Sequence, residues 1–263
     1  GDVNIQYRKR NPDGTWDAQI GLTDVDSLQD FSRIAVDTAD NIHIAWSGYV
    51  SGVHSGIPNV QYIGISAAGV VGAHEWATSE PIQQYSPELA IDESDNVYFC
   101  ITGLVPGNGN KNNVRYRKRN FDGTWEAIEE VTAIVDPLRW DTVRLYSQVI
   151  SIDVGGNLHI VWEQDDNLWH RVKLGPLWRD AEQLTYKNDR KASIIWRMWP
   201  KVAGVRSNVL DDGQFMFLFT SGIMLPPIYY QPSLQKANSQ KYIPEYSTFH
   251  LILALLTNFV PAG

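Results

Sequence analysis

One phrase is written twice in this chain: NIQYRKRNPDGTWDA at residues 4–18 and NVRYRKRNFDGTWEA at 113–127. Weaker copies open at Asn59 (NVQYIGISAAGVVGAHEW), Asn167 (NLWHRVKLGPLW) and Pro227 (PIYYQPS), so successive copies start 55, 54, 54 and 60 residues apart. A fixed period of that size marks a repeat architecture, in which each unit buries its apolar face against its neighbours.

A second phrase precedes each copy of the first. It reads RIAVDTADNIHIAW at 33–46, ELAIDESDNVYFCI at 88–101, VISIDVGGNLHIVW at 149–162 and, degenerate, KVAGVRSNVLDDGQFMFLF at 201–219. A β-branched run, a polar turn and an alternating apolar run together predict a hairpin. Asp37, Asp92 and Asp153 are placed to accept backbone N–H bonds in the turn, and Asn41, Asn96 and Asn157 tolerate the left-handed backbone it needs. The segment is too short to offer a calcium ion six oxygens. The first phrase adds a strand, an Asp-Gly turn at 13–14 or 122–123, and an outer strand starting at TW.

Each unit is thus four antiparallel strands, A to D, and units of that kind predict an all-β fold, a β-propeller in one domain over residues 1–263. The units fall at 33–79, 88–129, 149–185 and 201–233. Residues 1–20 hold only strands C and D. The tail, 240–258, contains Phe249-His250-Leu251-Ile252, similar to the B strands, and is expected to supply A and B of that same unit. The result is a five-bladed ring; the alternative is part of a six- to eight-bladed one.

The net charge of −8 argues against nucleic-acid and acidic-membrane partners. The YRKR runs read as solvated strand faces. No apolar run reaches the roughly 18–20 residues that span a bilayer. Cys100, the one cysteine, sits in the apolar run VYFCIT and reads as a small buried hydrophobe. The chain opens on Gly with no signal peptide, as expected of a processed protein or a piece of a longer polypeptide.

The DGTW turns at 13–16 and 122–125 resemble the Asp-box turns of sialidase-type (BNR-repeat) propellers, although they are shorter than that pattern by one residue on each side of the Gly. The wider phrase resembles repeats of secreted and surface proteins, over roughly residues 3–233. The resemblance implies a propeller placed outside the cell, on a cell or virion surface, and an arginine before strand A, where Arg33 stands. It transfers no catalytic set, since a shared superfold does not carry a function.

Repetition separates structural from functional residues: a turn former is needed once per unit, a catalytic group once per site. Asp13, Asp122, Asp37, Asp92 and Asp153 therefore read as turn formers. Trp16, Trp76, Trp125 and Trp178 in strand D, with Trp46 and Trp162 in strand B, read as packing between units. His43, His159 and His250 recur in strand B; three such histidines can ring a channel and hold a metal, but read as ordinary sheet positions. No metal or cofactor is expected.

The unrepeated text lies in the long B–C and D–A connections, Gly48–Pro58, Gly103–Asn112, Thr132–Ser147 and Tyr186–Pro200, and variable loops on a rigid scaffold usually carry function. Two of these loops pair tryptophan with arginine: Arg139, Trp140 and Arg144 in one, Arg190, Trp196, Arg197 and Trp199 in the other. Indole covers the C–H face of a sugar, and guanidinium forks a carboxylate or phosphate. These seven are the candidate ligand-binding residues. The function expected is recognition of a glycan or a surface protein through the loop face. The alternatives are a sialidase- or arabinanase-like glycoside hydrolase and a structural subunit of a surface or virion assembly. Glycoside hydrolysis needs two carboxyls across one bond; Asp136, Asp141, Asp165, Asp166, Asp180 and Asp189 lie near the loop face, and none forms an evident pair. No catalytic residue is assigned.

Overall fold

The computed structural model describes residues 3–49, 56–105, 111–134, 148–153, 155–164 and 167–184, and the backbone of three later strands. The chain divides into two compact units, Gly1–Arg139 and Trp140–Gly263. All sheets are antiparallel, and the described residues contain no helix.

The first unit opens with a two-stranded sheet, β1 (Gln6–Tyr7) and β2 (Ile20–Gly21). Two four-stranded meanders follow: β3 (Gln29–Val36), β4 (Ile42–Gly48), β5 (Asn59–Ile65) and β6 (Glu75–Trp76), then β7 (Gln84–Ile91), β8 (Val97–Leu104), β9 (Asn112–Arg119) and β10 (Glu129–Glu130). The sheets stack. Ile44, Trp46, Ile63 and Ile65 on one face of the first meander pack on Ile5, Tyr7 and Leu22. Ala45, Val60, Tyr62 and Ala77 on its other face pack on Val97, Phe99 and Ile101. With both faces covered, β4 is buried nearly throughout instead of on alternate residues.

The second unit contains β11 (Val149–Ile152), β12 (Leu158–Gln164), β13 (Asn167–Leu174), β14 (Leu177–Trp178) and β15 (Glu182–Gln183), the last two both pairing with β13. Its other sheet is β16 (Trp199–Ala203), β17 (Phe215–Gly222) and β18 (Phe249–Leu256), in that order.

The turns follow their chemistry. Asp37 Oδ1 accepts from the Ala39 and Asn41 N–H groups, and Oδ2 from the Asn41 side chain; Asp92 and Asp153 repeat the pattern. The left-handed residue is one position earlier than expected: Asp40 (φ 62), Asp95 (φ 60) and Gly156 (φ 76) take it, and the asparagines are occupied in bonding back to the aspartate. In the Asp-Gly turns, Gly14 and Gly123 both have φ 88, and Thr15 and Thr124 donate backbone and hydroxyl hydrogens to Asp13 and Asp122.

Several expectations need correction. Strand D is broken in two: a single bridge (Arg10↔Trp16, Ile65↔Val71, Arg119↔Trp125) or the short β14 precedes β2, β6, β10 and β15. Trp16, Val71, Trp125 and Trp178 therefore occupy one repeat position, and Trp76 occupies another. Strand A is bulged in β3 and β7, at Phe31 (φ 53) and Ser86 (φ 49), which a pattern of period two cannot reveal.

The YRKR run of β9 is not a solvated face but joins two sheets. Arg115 pairs with Glu80 and Glu130, Arg119 forks Glu75 and lies over Tyr62, and Arg117 donates to Ala77 O and lies over Trp125. Arg8 over Trp16 and Arg171 over Trp178 repeat the Arg117 clip. Arg33 lies within β3, not before it, and pairs with Glu88 at 2.6 Å.

In the tail, β18 pairs with β17 from Phe215↔Leu256 to Gly222↔Phe249 and takes the third place in its sheet. Residues 227–233, read as strand C of the unit at 201–233, lie outside the described residues, as do 240–248.

Candidate functional site

In an antiparallel meander the A–B and C–D turns leave from one end, and the B–C and D–A connections from the other. The two ends differ chemically. At the turn end the side chains satisfy each other, within each turn and between sheets: Thr38 N and Oγ1 donate to the two carboxylate oxygens of Asp95, each at 2.8 Å. At the other end leave the long connections that follow β4, β8, β10 and β15. Arg139, Trp140 and Arg144 fall in the connection after β10, and Arg190, Trp196 and Arg197 in the one after β15; all six lie outside the described residues. Trp199 opens β16, with its backbone opposite Thr220. Of the six loop carboxylates, Asp180 is described, exposed in the link between β14 and β15.

The richest described cluster of titratable groups crosses the sheet β11–β15. His159 Nε2 lies 3.2 Å from Asp153 Oδ2, His159 Nδ1 lies 3.0 Å from His170 Nε2, and His170 Nδ1 lies 2.6 Å from Glu182 Oε1. A–B turn, strand B, strand C and strand D contribute one group each. The first meander of the other unit places Asp37, His43 and Tyr62 at the same repeat positions, with His43 Nδ1 2.7 Å from the Tyr62 hydroxyl; the second places Asp92 and Tyr98, with Tyr116 beside them. His43 and His159 are therefore tied to their own turns. His170 escaped notice in the sequence, although a signal existed: it is the fourth letter of NLWH, where the other copies have tyrosine. His250 lies on β18, opposite Ser221.

Burial pushes the His170 imidazole below its ordinary value, against the pull of Glu182. Glu182 is lowered by the hydrogen bond from His170 despite burial. Burial would raise the Asp153 carboxyl, but hydrogen bonds from His159 and Asn157 outweigh it and hold it low. With His170 neutral, its Nδ1–H donates to Glu182. Burial opposes a further proton on His170. The unfolded chain binds that proton more readily, so this contribution to stability is full above the ordinary histidine pKa of about 6.5 and is lost as pH falls below it. The carboxylates act separately, below about pH 4. His170→Tyr copies the His43–Tyr62 arrangement. Urea midpoints should drop more for the parent chain than for this variant between about pH 7 and 5.5; parallel curves would refute the assignment.

Among the described residues, no group of three or more His, Cys, Asp or Glu side chains is placed to hold a metal ion. Cys100 is fully buried, and burial pushes its thiol well up. No described helix is long and apolar enough to cross a membrane.

No family model and no curated protein matches this sequence. Among solved structures, the chain is similar to an ulvan lyase of polysaccharide lyase family PL25 in two forms. One is bound to GlcA(1-4)Rha3S, with a TM-score of 0.52, and the other is unbound, with a TM-score of 0.50. Identity is 12% to both, over 81% of this chain and 52% of theirs, so the chain spans about half the length of those proteins and shares a fold with them.

Proposed function

We propose that the sheets belong to a β-propeller, placed at a cell or virion surface or otherwise outside the cell, whose loop-bearing end binds an acidic polysaccharide. The observation that carries the reading is the contrast between the ends of the sheets. Among the described residues one end carries turns whose polar groups bond to each other, and the long connections after β4, β8, β10 and β15 leave from the other, where the sequence concentrates Arg139, Trp140, Arg144, Arg190, Trp196, Arg197 and Trp199. Indole faces and guanidinium forks suit a sugar bearing carboxylate or sulfate. The shared fold with a lyase bound to GlcA(1-4)Rha3S supports the ligand class by analogy. The net charge of −8 makes a general attraction to polyanions unfavourable, so binding rests on local arginines.

The test is isothermal titration with a sulfated, uronate-containing polysaccharide, with neutral dextran as control. The acidic polymer should bind and dextran should not. Trp140→Ala and Arg197→Ala should each weaken binding about tenfold or more, a loss of about 1.4 kcal/mol. Equal binding of both polymers, or none of either, overturns the reading. Accumulation of an unsaturated uronate product during the titration would show that the same end also cleaves its ligand.

A further inference from the structure

Two turns carry a dipeptide with a chemistry of its own. Asp13–Gly14 and Asp122–Gly123 are Asp-Gly pairs, and both aspartates are exposed to solvent. Glycine has no Cβ to shield its nitrogen or restrict the backbone around it. In an open chain, the Gly nitrogen can therefore attack the side-chain Cγ of the preceding aspartic acid. A C–N bond forms, the Cγ–OH bond breaks, and the amide hydrogen leaves with the hydroxyl as water. The product is a five-membered succinimide. Water then opens the ring at either carbonyl, giving back aspartate or leaving isoaspartate, whose main chain runs through the former side-chain carbonyl. The reaction needs a free Gly N–H, a neutral carboxyl, and freedom for the two to meet.

Both turns withhold all three. The Gly14 N–H donates to Asn11 O and the Gly123 N–H to Asn120 O, each at 2.9 Å. Asp13 Oδ1 accepts from the Thr15 N–H at 2.8 Å and from its hydroxyl at 2.6 Å. Asp122 Oδ1 accepts from the same two donors of Thr124, at 2.9 and 2.6 Å. Hydrogen bonds to an ionised carboxylate favour that form, and they hold both groups below the usual aspartate range. A carboxylate resists attack by an amide nitrogen. The frame is closed by the Asn11 N–H to Thr15 O and the Asn120 N–H to Thr124 O, each at 2.8 Å, with both glycines at φ 88.

The turn at the same repeat position between β5 and β6 isolates what the threonine adds. It keeps both backbone bonds, Gly69 N–H to Ser66 O at 2.7 Å and Ser66 N–H to Val70 O at 2.9 Å. Ala68 and Val70 stand there in place of the aspartate and the threonine. The backbone of the turn thus forms without threonine, and the threonine accompanies the aspartate.

We propose that Asp13 and Asp122 are latent sites of isoaspartate formation, each held closed in the folded chain by the threonine two positions on. Nothing in this depends on the loop-end reading above.

The test incubates the full chain, folded and in urea, and follows both turns by reversed-phase peptide mapping, which separates isoaspartyl from aspartyl peptides of equal mass. The map also keeps apart the products of Asp212–Gly213 and Asn108–Gly109, which lie outside the described residues. Isoaspartate should accumulate at Asp13 and Asp122 at least tenfold faster in urea than in the folded chain. In the folded chain, Thr15→Val should raise the rate at Asp13 at least threefold and leave Asp122 unchanged, and Thr124→Val should do the reverse. Thr15→Ser, which keeps both donors, should behave as the parent does. Equal rates in the folded and unfolded parent overturn the proposal, as do valine variants that match the parent. Acceleration at both sites by one valine substitution would show that the fold as a whole, and not the threonine, holds the turns closed, and would overturn it too.

Discussion

Trp46→Ala should cost about 3–5 kcal/mol of stability, the range for deleting a buried large aromatic side chain. The side chain has no exposed surface and fills the face of β3–β6 that meets β1–β2. Its Nε1–H donates to Gln29 Oε1 at 2.8 Å, and that oxygen also accepts from Gln61 Nε2 at 3.1 Å. Gln29 therefore keeps a partner after truncation, and most of the loss comes from the cavity and the contacts around it. Gln29 is itself wedged against Gly48, where an added Cβ would lie too close to its side chain to be accommodated, so neighbouring groups have little room to collapse inward. The control is Trp16→Ala. Trp16 is 53% exposed under Arg8, and its loss should cost under about 1 kcal/mol. Urea unfolding of both variants checks the contrast; similar costs would mean that the face does not pack as described.

The all-β fold and the unit boundaries were legible because they follow from local chemistry. A β-branched run ending in Asp, an Asn four residues later and an apolar run make a hairpin wherever they occur, and 33–46, 88–101 and 149–162 all do. What was not legible depends on partners distant in sequence. Arg115, Arg117 and Arg119 look like a solvated charged run until Glu80, Glu75 and the Ala77 carbonyl are set against them by the neighbouring sheet. The bulges at Phe31 and Ser86 are backbone events with no period-two signature. The apolar run of β18 fits more than one place in a sheet, and its pairing along β17 is not written in its own residues. At the loop end the sequence supplies residue types and their placement in connections, but ligand geometry depends on how loops meet, which repeat logic does not specify.

The buried polar positions show how one repeat position accepts different chemistry. Asp37–His43–Tyr62, Asp92–Tyr98 and Asp153–His159–His170 all anchor the A–B turn to the strands behind it. Tyrosine supplies a hydroxyl with no charge to manage near neutral pH: burial raises Tyr62 to about 12. The second histidine of β11–β15 introduces a titrating group, balanced by Glu182 at the strand's outer side. The turn aspartate is common to all three, and the sheet is most exposed to its loss where the network is longest.

Asp153→Ala should therefore destabilise strongly, by about 3–5 kcal/mol, because it strips the acceptor from several buried donors at about 1–3 kcal/mol each. The carboxylate is 1% exposed and accepts from the Gly155 and Asn157 backbone N–H groups, the Asn157 side chain and His159. Truncation leaves those donors without their acceptor. Asp13→Ala removes a carboxylate with a similar turn geometry, bonded to Thr15, but in an exposed loop where water replaces the lost acceptor. It should lower the urea midpoint far less than Asp153→Ala does. The urea midpoints of the two variants decide whether burial, rather than turn chemistry alone, sets the cost. The same variant also separates stability from the proposed function. Asp153 stands at the turn end of its sheet, whereas the arginine and tryptophan residues assigned to the ligand are in connections leaving the other end or, for Trp199, at the start of the strand that follows one. Below its unfolding transition, Asp153→Ala should bind the acidic polysaccharide as the parent chain does. Loss of binding while the sheet remains folded would place the ligand at the turn end and refute the assignment to the loops.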